Sequence, residues 1–209
     1  MMQSSNLLLC LISDCKTLAP IWETLANDFS RDSNVVIAKV DAEAENARAL
    51  AKEQQISGYP TIKYFPAGST EPEPYVGARS EEYLVKFVND KAGTHRAVGG
   101  GLDNKAGTIA DLDKLVAEYV AEHKFEKLAA EIKKASKGLK DQYAQYYVKV
   151  ADKLSQNEDY ASKELARLVK VLGKGGSAPE KLDDLVSRSN ILRAFAGQDK
   201  ETAEHKDEL

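Results

Sequence analysis

The sequence predicts an α/β domain followed by an all-helical domain, and three observations lead to this prediction. Residues 14–91 alternate helical and extended patterns of apolar residues, which is typical of an α/β layer with a mixed sheet. Residues 92–109 lose both patterns and contain several glycines, as a flexible linker does. Beyond residue 109 only the helical period remains. The predicted divisions are a first domain, a linker, a helical domain and a polar tail, at residues 1–92, 93–108, 109–197 and 198–209.

The first domain is predicted to contain three helices and four strands. The uninterrupted apolar run at residues 7–12 is typical of a strand buried on both faces, and a β-branched run predicts a second buried strand. Pro20 lies inside the first helix and predicts a kink there, because proline lacks a backbone N–H. The predicted helices span residues 14–30, 44–54 and 80–91, and the remaining strands span residues 35–40, 61–65 and 75–76.

The second half is predicted to form five helices separated by glycine or proline. They span residues 109–122, 125–136, 140–156, 160–172 and 179–195. Five tyrosines in this half have two interpretations: they are core residues with a polar tip, or they form a peptide-binding patch. These tyrosines are Tyr119, Tyr143, Tyr146, Tyr147 and Tyr160.

Composition and charge exclude several classes of protein. The net charge is −4, with no basic block, so no nucleic-acid partner is expected. No apolar run approaches the roughly 18 residues of a membrane-spanning helix, so no membrane insertion is expected. Two cysteines and three dispersed histidines predict no metal site, and no phosphate-loop or other cofactor motif follows the glycines at 99–101. The histidines are His95, His123 and His205.

The two ends of the chain give conflicting indications about its compartment. The last four residues form a K-D-E-L sequence, which is a receptor-read address for retention in the endoplasmic reticulum. Residues 1–6 contain no Lys or Arg, and the apolar run after them is short for a secretory signal. We expect a protein of the endoplasmic reticulum lumen that the receptor for this address binds, and whose natural N-terminal segment is missing here. The address consists of Lys206, Asp207, Glu208 and Leu209.

Four segments of the first half resemble, in order and spacing, the motifs of the protein disulfide isomerase family. The first reads Cys-Lys-Thr-Leu-Ala-Pro-Ile-Trp-Glu and resembles the active-site helix of that family. The resemblance implies a thioredoxin-like fold from this helix to the last helix of the domain. The helical half resembles the small all-helical domain that follows in one branch of the family. The four segments are residues 15–23, 35–42, 56–65 and 75–80.

The resemblance also implies that the thioredoxin-like domain is incomplete at its N-terminus. Such a domain has a strand and a helix before its central strand, whereas only 14 residues precede Cys15. The apolar run at residues 7–12 is then expected to be the central strand. The strand at residues 35–40 would lie at an unprotected sheet edge, which favours aggregation.

The cysteine motif of the family is only half present. Family members carry Cys-Gly-His-Cys before the lysine, so the resemblance places Cys15 at the second, resolving position and Ile12 at the position of the first cysteine. A thiol at the second position alone can form a mixed disulfide and cannot resolve it within the motif. Cys10 is either a substitute partner or a buried apolar thiol. We therefore expect weak or absent isomerase activity for this chain.

Two further positions match supporting residues of the family. Pro60, preceded by Tyr59, matches a cis-proline whose loop offers backbone groups to an extended client peptide. Arg79 matches an arginine that approaches the resolving cysteine and lowers its pKa. Its other interpretation is an ordinary surface arginine.

Three functional hypotheses follow from these residues. The first is thiol–disulfide exchange on unfolded or disulfide-containing client proteins in the endoplasmic reticulum, without a cofactor. The second is a redox-inactive, chaperone-like module that binds clients, which the isoleucine at position 12 favours. The third is a fragment that does not fold stably.

Overall fold

A computed structural model describes residues 5–12, 17–176 and 178–198. The chain divides into two compact units, Met1–Asp103 and Asn104–Leu209. The division lies within the stretch that the sequence predicts as a linker. None of the helices in the described part of the chain is long and apolar enough to cross a membrane.

The described residues of the first unit form a four-stranded mixed sheet. Its strands are β1 (Asn6–Ile12), β2 (Val35–Asp41), β3 (Thr61–Phe65) and β4 (Glu73–Pro74). Their order is β2-β1-β3-β4, with β1 parallel to β2 and antiparallel to β3. The order confirms that the apolar run at residues 7–12 is a central strand. It also places β2 at one edge of the sheet that the described residues form.

Helices cover both faces of this sheet. The helices are α1 (Leu18–Asp28), a 3-10 turn (Glu45–Ala47), α2 (Arg48–Glu53) and α3 (Glu81–Ala92). Side chains alternate along β1, so Leu8 lies on the face where α1 and α3 supply Leu25 and Leu84. Leu9 lies on the opposite face and packs with Ala51 of α2. The predicted α/β architecture is confirmed.

Three local predictions for this unit are wrong. The strand at residues 35–40 is not buried, because only β1 pairs with it and Val36 is 46% exposed. The short strand predicted at residues 75–76 lies two residues earlier, and Val76 is 93% exposed. Helix α1 begins at Leu18, so Pro20 lies in its first turn. Backbone N–H groups there have no intrahelical acceptor, and the reason for a kink is absent.

The stretch predicted as a flexible linker begins with an ordered loop, residues 94–103. The Arg96 guanidinium, which is 4% exposed, donates to both carboxylate oxygens of Asp32 at 2.7 and 3.0 Å. Arg96 also pairs with Leu102 in an isolated β-bridge. The Asn89 side chain of α3 accepts from the Arg96 N–H and donates to its carbonyl. Polar contacts therefore hold this loop against the rest of the first unit.

The described residues of the second unit form five helices, as predicted. They are α4 (Ala110–Ala121), α5 (Phe125–Ala135), α6 (Ala144–Gln156), α7 (Tyr160–Gly173) and α8 (Pro179–Phe195). The third of them begins four residues later than predicted, because the Asp141 carboxylate accepts the Tyr143 N–H in the turn before it.

The tyrosines of the second unit belong to its core. Tyr147 is completely buried, donates to the Asp113 carboxylate and accepts the Ile109 N–H. The other four are half-buried and pack against the same apolar cluster. This arrangement favours core residues with a polar tip over an exposed peptide-binding patch. The four are Tyr119, Tyr143, Tyr146 and Tyr160.

Amide exchange along β2 is expected to alternate. The Asn6 N–H donates to the Asn34 carbonyl, and with the parallel register this turns the N–H groups of Ala38 and Val40 toward β1. The N–H groups of residues 37 and 39 then face the open edge. We expect slow exchange at Ala38 and Val40 and fast exchange at 37 and 39, measured by NMR at low protein concentration. Uniform exchange along β2 would contradict this pairing.

Candidate functional site

The candidate site lies where β1 gives way to α1. Strand β1 ends at Ile12, and α1 begins at Leu18 with Thr17 at its N-cap position. Cys15 lies between them, outside the described residues, so its role stays a prediction. The predicted retention address at residues 206–209 also lies outside the described part of the chain.

A cis peptide bond joins Tyr59 to Pro60, as the sequence predicts. The bond immediately precedes β3, and the Thr61 hydroxyl donates to the Gly58 carbonyl at 2.7 Å across this turn. Arg79 donates from Nη2 to the Pro60 carbonyl at 3.2 Å. The arginine expected beside the resolving cysteine therefore contacts the cis-proline loop.

These elements enclose a surface pocket of about 170 Å³. Leu18, Ile21 and Pro60 supply apolar walls, while Thr17 and Arg79 supply polar groups. Tyr59, which is 43% exposed, precedes Pro60 at the pocket. An apolar pocket with a few polar groups is suited to one side chain of an extended peptide.

Cys10 lies in the core of the first unit. It is 1% exposed and stands opposite Lys39 of β2 and Ile62 of β3 in the strand registers. Attack on a client disulfide requires contact between the two sulfurs, and a thiol at this depth is inaccessible to a client. The geometry favours the buried apolar thiol over the substitute nucleophile.

Trp22 fixes the position of α1 on the sheet. Its indole is 3% exposed, and Nε1 donates to the Ala38 carbonyl of β2 at 3.0 Å. The pocket wall includes Leu18, which precedes Trp22 by one turn of α1, and Ile21, which directly precedes Trp22. Both also pack in the core of the first unit. Helical periodicity places them on the apolar face of α1 but does not show that this face reaches a surface pocket. The available signal is their closeness to Cys15 in sequence.

The part of the chain that the structure describes contains no group of three or more His, Cys, Asp or Glu side chains suited to a metal ion. The pocket walls supply one hydroxyl and one guanidinium as polar side-chain groups. Neither group is a usual metal ligand.

Comparison with protein-family models defines the class of each unit. The model described as "Thioredoxin" matches residues 10–90. The model described as "Endoplasmic reticulum protein ERp29, C-terminal domain" matches residues 107–195. The chain therefore consists of a thioredoxin-like domain followed by a helical domain of the ERp29 C-terminal class.

The chain is similar in sequence to several known proteins. The chain is 68% identical over 195 residues to protein disulfide-isomerase tigA of Aspergillus niger, covering 93% of the chain and 52% of that protein. It is 53% identical over 199 residues to protein disulfide-isomerase erp38 of Neurospora crassa, covering 93% and 53%. It is 42% identical to the probable protein disulfide-isomerase A6 of Medicago sativa, covering 87% and 51%. The chain belongs to the protein disulfide isomerase family and spans about half the length of these relatives.

Replacing Trp22 tests whether the indole anchors α1. Trp22→Phe removes the donor to Ala38 and part of the packed volume, so we expect a loss of about 1–3 kcal/mol in the free energy of unfolding. Chemical denaturation of the full chain measures it. The control is Tyr83→Phe, at a side chain that is 58% exposed, with an expected change within about 0.5 kcal/mol. Equal stability of the two variants would contradict the anchoring role.

Proposed function

We propose that this chain acts in protein folding in the endoplasmic reticulum lumen, where it binds client polypeptides and takes part in thiol–disulfide exchange. The observation that carries the proposal is the pocket beside the cis Tyr59–Pro60 bond, at the start of the helix that follows Cys15. The names of the relatives, all protein disulfide-isomerases, support the same chemistry.

Each part of the pocket has a separate task in client binding. The apolar walls from Leu18 and Ile21 remove a client side chain from water, which supplies most of the binding free energy. The cis-proline loop offers backbone groups to an extended segment. Arg79 contributes a positive charge beside the place where a client carbonyl or a thiolate would lie.

The exchange step would begin with the Cys15 thiolate. It attacks one sulfur of a client disulfide, forms a new S–S bond to the client, and releases the other client sulfur as a thiolate. Resolution needs a second thiol to attack this mixed disulfide. In the family motif the second thiol is the first cysteine, and this chain has Ile12 at that position. The reaction would therefore stop at the mixed disulfide between Cys15 and the client unless an external thiol resolves it.

A redox-inactive client-binding module is the second candidate function. Two observations favour it: Ile12 at the position of the first cysteine, and Cys10 at 1% exposure in the core. In this reading the pocket holds clients by apolar and backbone contacts alone. Client binding without sulfur chemistry would then be its whole activity.

The location in the endoplasmic reticulum lumen has two supports. The chain ends in the K-D-E-L sequence, which a receptor reads as a retention address. The helical unit matches a domain named after an endoplasmic reticulum protein. The proposed partners are accordingly unfolded or disulfide-containing clients and the receptor for the address.

Restoring the family motif tests the exchange reaction. We expect Ile12→Cys to raise the rate of scrambled-ribonuclease reactivation on the order of tenfold or more, because a second thiol can then resolve the mixed disulfide. Ile12→Ser is the matched control without a thiol and should leave the rate near background. A rate for the unsubstituted chain equal to that of Ile12→Cys would contradict the proposed need for position 12. Equal rates for Ile12→Cys and Ile12→Ser would contradict the exchange function.

Changing the pocket wall tests client binding independently of sulfur chemistry. Ile21→Gln places an amide without a partner in the apolar pocket, so we expect affinity to fall on the order of tenfold. The probe is a fluorescein-labelled, unstructured apolar peptide without cysteine, and anisotropy measures its binding. Val169→Gln, at a 49% exposed residue of α7, is the matched control and should bind as the unsubstituted chain does. Equal binding by both variants, with cooperative unfolding retained, would exclude the pocket as the client site.

A further inference from the structure

Two carboxyl groups of the first unit meet in a buried position. Asp28 is the last residue of α1 and is 2% exposed, and Glu81 is the first residue of α3. Asp28 Oδ2 and Glu81 Oε1 are both inaccessible to solvent, and neither accepts a hydrogen bond from an N–H or hydroxyl donor in the described residues. Glu81 lies close enough to Asp28 to raise the pKa of its carboxyl group. Two carboxylates cannot donate to each other, so a hydrogen bond between these oxygens would require a proton.

We propose that Asp28 and Glu81 share one proton in the folded protein, and that loss of this proton loosens the hold of the first unit on the loop at residues 94–103. A carboxylic acid facing a carboxylate supplies the donor that both buried oxygens lack. Without the proton, two negative charges face each other out of contact with water, which is unfavourable. The stability of the contact between this pair and the loop therefore depends on pH.

The loop rests directly on Asp28. The Gly99 backbone lies close enough to the Asp28 carboxyl group to lower its pKa. Gly99 and Gly100 have φ values of +86° and +76°, and a Cβ at Gly100 would lie only 3.3 Å from the Asp28 Cα atom. Glycine permits both the backbone conformation and the close approach. Displacement of Asp28 therefore moves the part of the loop that has the least room to adjust.

Charged groups around the pair come from three elements. Arg96 of the loop lies near Asp28 and lowers its pKa, but its guanidinium is held by Asp32 at 2.7 Å. Arg31, in the turn after α1, donates to the Gly100 carbonyl. Burial and the facing Glu81 carboxylate outweigh the effect of Arg96 and raise the pKa of Asp28 to about 6.

The sign of the pH effect follows from this shift. The ordinary pKa of the group is 3.8, so between pH 3.8 and about 6 the folded state keeps a proton that the unfolded state has lost. Stability from this pair is present at low pH and decreases as pH rises through that window. The loop ends at Asp103, which is the last residue of the first unit.

An NMR titration of the full chain with ¹³C-labelled carboxyl groups tests the shared proton. We expect Asp28 to titrate with a midpoint near 6, and Glu81→Gln to move the midpoint toward the ordinary value of 3.8, because an amide donates to the Asp28 carboxylate without a proton. Glu82→Gln, an exposed neighbour in the same turn of α3, is the matched control and should leave the midpoint unchanged. An ordinary midpoint in the unsubstituted chain, or an unchanged one in Glu81→Gln, would overturn the proposal.

Hydrogen exchange of the amides at residues 99–101 tests the effect on the loop. Protection factors, corrected for intrinsic exchange rates, are compared one pH unit below and one pH unit above the Asp28 midpoint. We expect them to be about tenfold lower at the higher pH. Asp28→Asn should abolish the difference while the loop stays protected. His95 is a second titratable group of the same loop, and its Nδ1 lies 3.4 Å from Oδ2 of Asp103. His95→Gln should keep the difference, and its loss in that variant would assign the effect to His95 and overturn the proposal.

Discussion

Burial of β1 on both faces is the constraint on which the first unit depends. Leu8 and Cys10 face α1 and α3, Leu9 faces α2, and all three are almost inaccessible to solvent. A strand can be covered in this way only if helices lie on both faces of the sheet and a neighbouring strand pairs with each of its two edges. The burial thus requires β2 and β3 as neighbours, and it determines which residues of α1 and α3 turn inward.

The candidate site follows from the same constraint. Helix α1 must lie on the sheet to cover β1, and Trp22 fixes it there through the Ala38 carbonyl. Strand β3 must pair with β1, which brings the Tyr59–Pro60 bond at its start close to the first turn of α1. The pocket forms because the ends of two elements meet at the edge of a well-packed core. Its apolar wall is the continuation of the core face to the surface.

The sequence predicted the features that local patterns determine. Uninterrupted apolar residues identified β1, helical periodicity identified the five helices of the second unit, and a motif with its spacing identified Pro60 and Arg79. The position of strand β4 was predicted wrongly. This strand has only two residues and is determined by its pairing with β3, and two residues are too few to show a periodic pattern. The ion pair of Arg96 with Asp32 joins residues 64 positions apart, so only the folded chain brings them together. The contact of Arg79 with the Pro60 carbonyl could not be predicted from the sequence either, because it also joins residues that only the folded chain brings together.

Client binding and sulfur chemistry have different structural requirements in this fold. The described walls of the pocket depend on the packing of α1, on the turn before β3 and on Arg79. None of these contacts involves a thiol, and the single described cysteine, Cys10, packs in the core as an apolar side chain. Under the proposed function, the holding of an extended peptide would therefore depend on apolar packing and on Arg79, and the exchange reaction would depend on thiols.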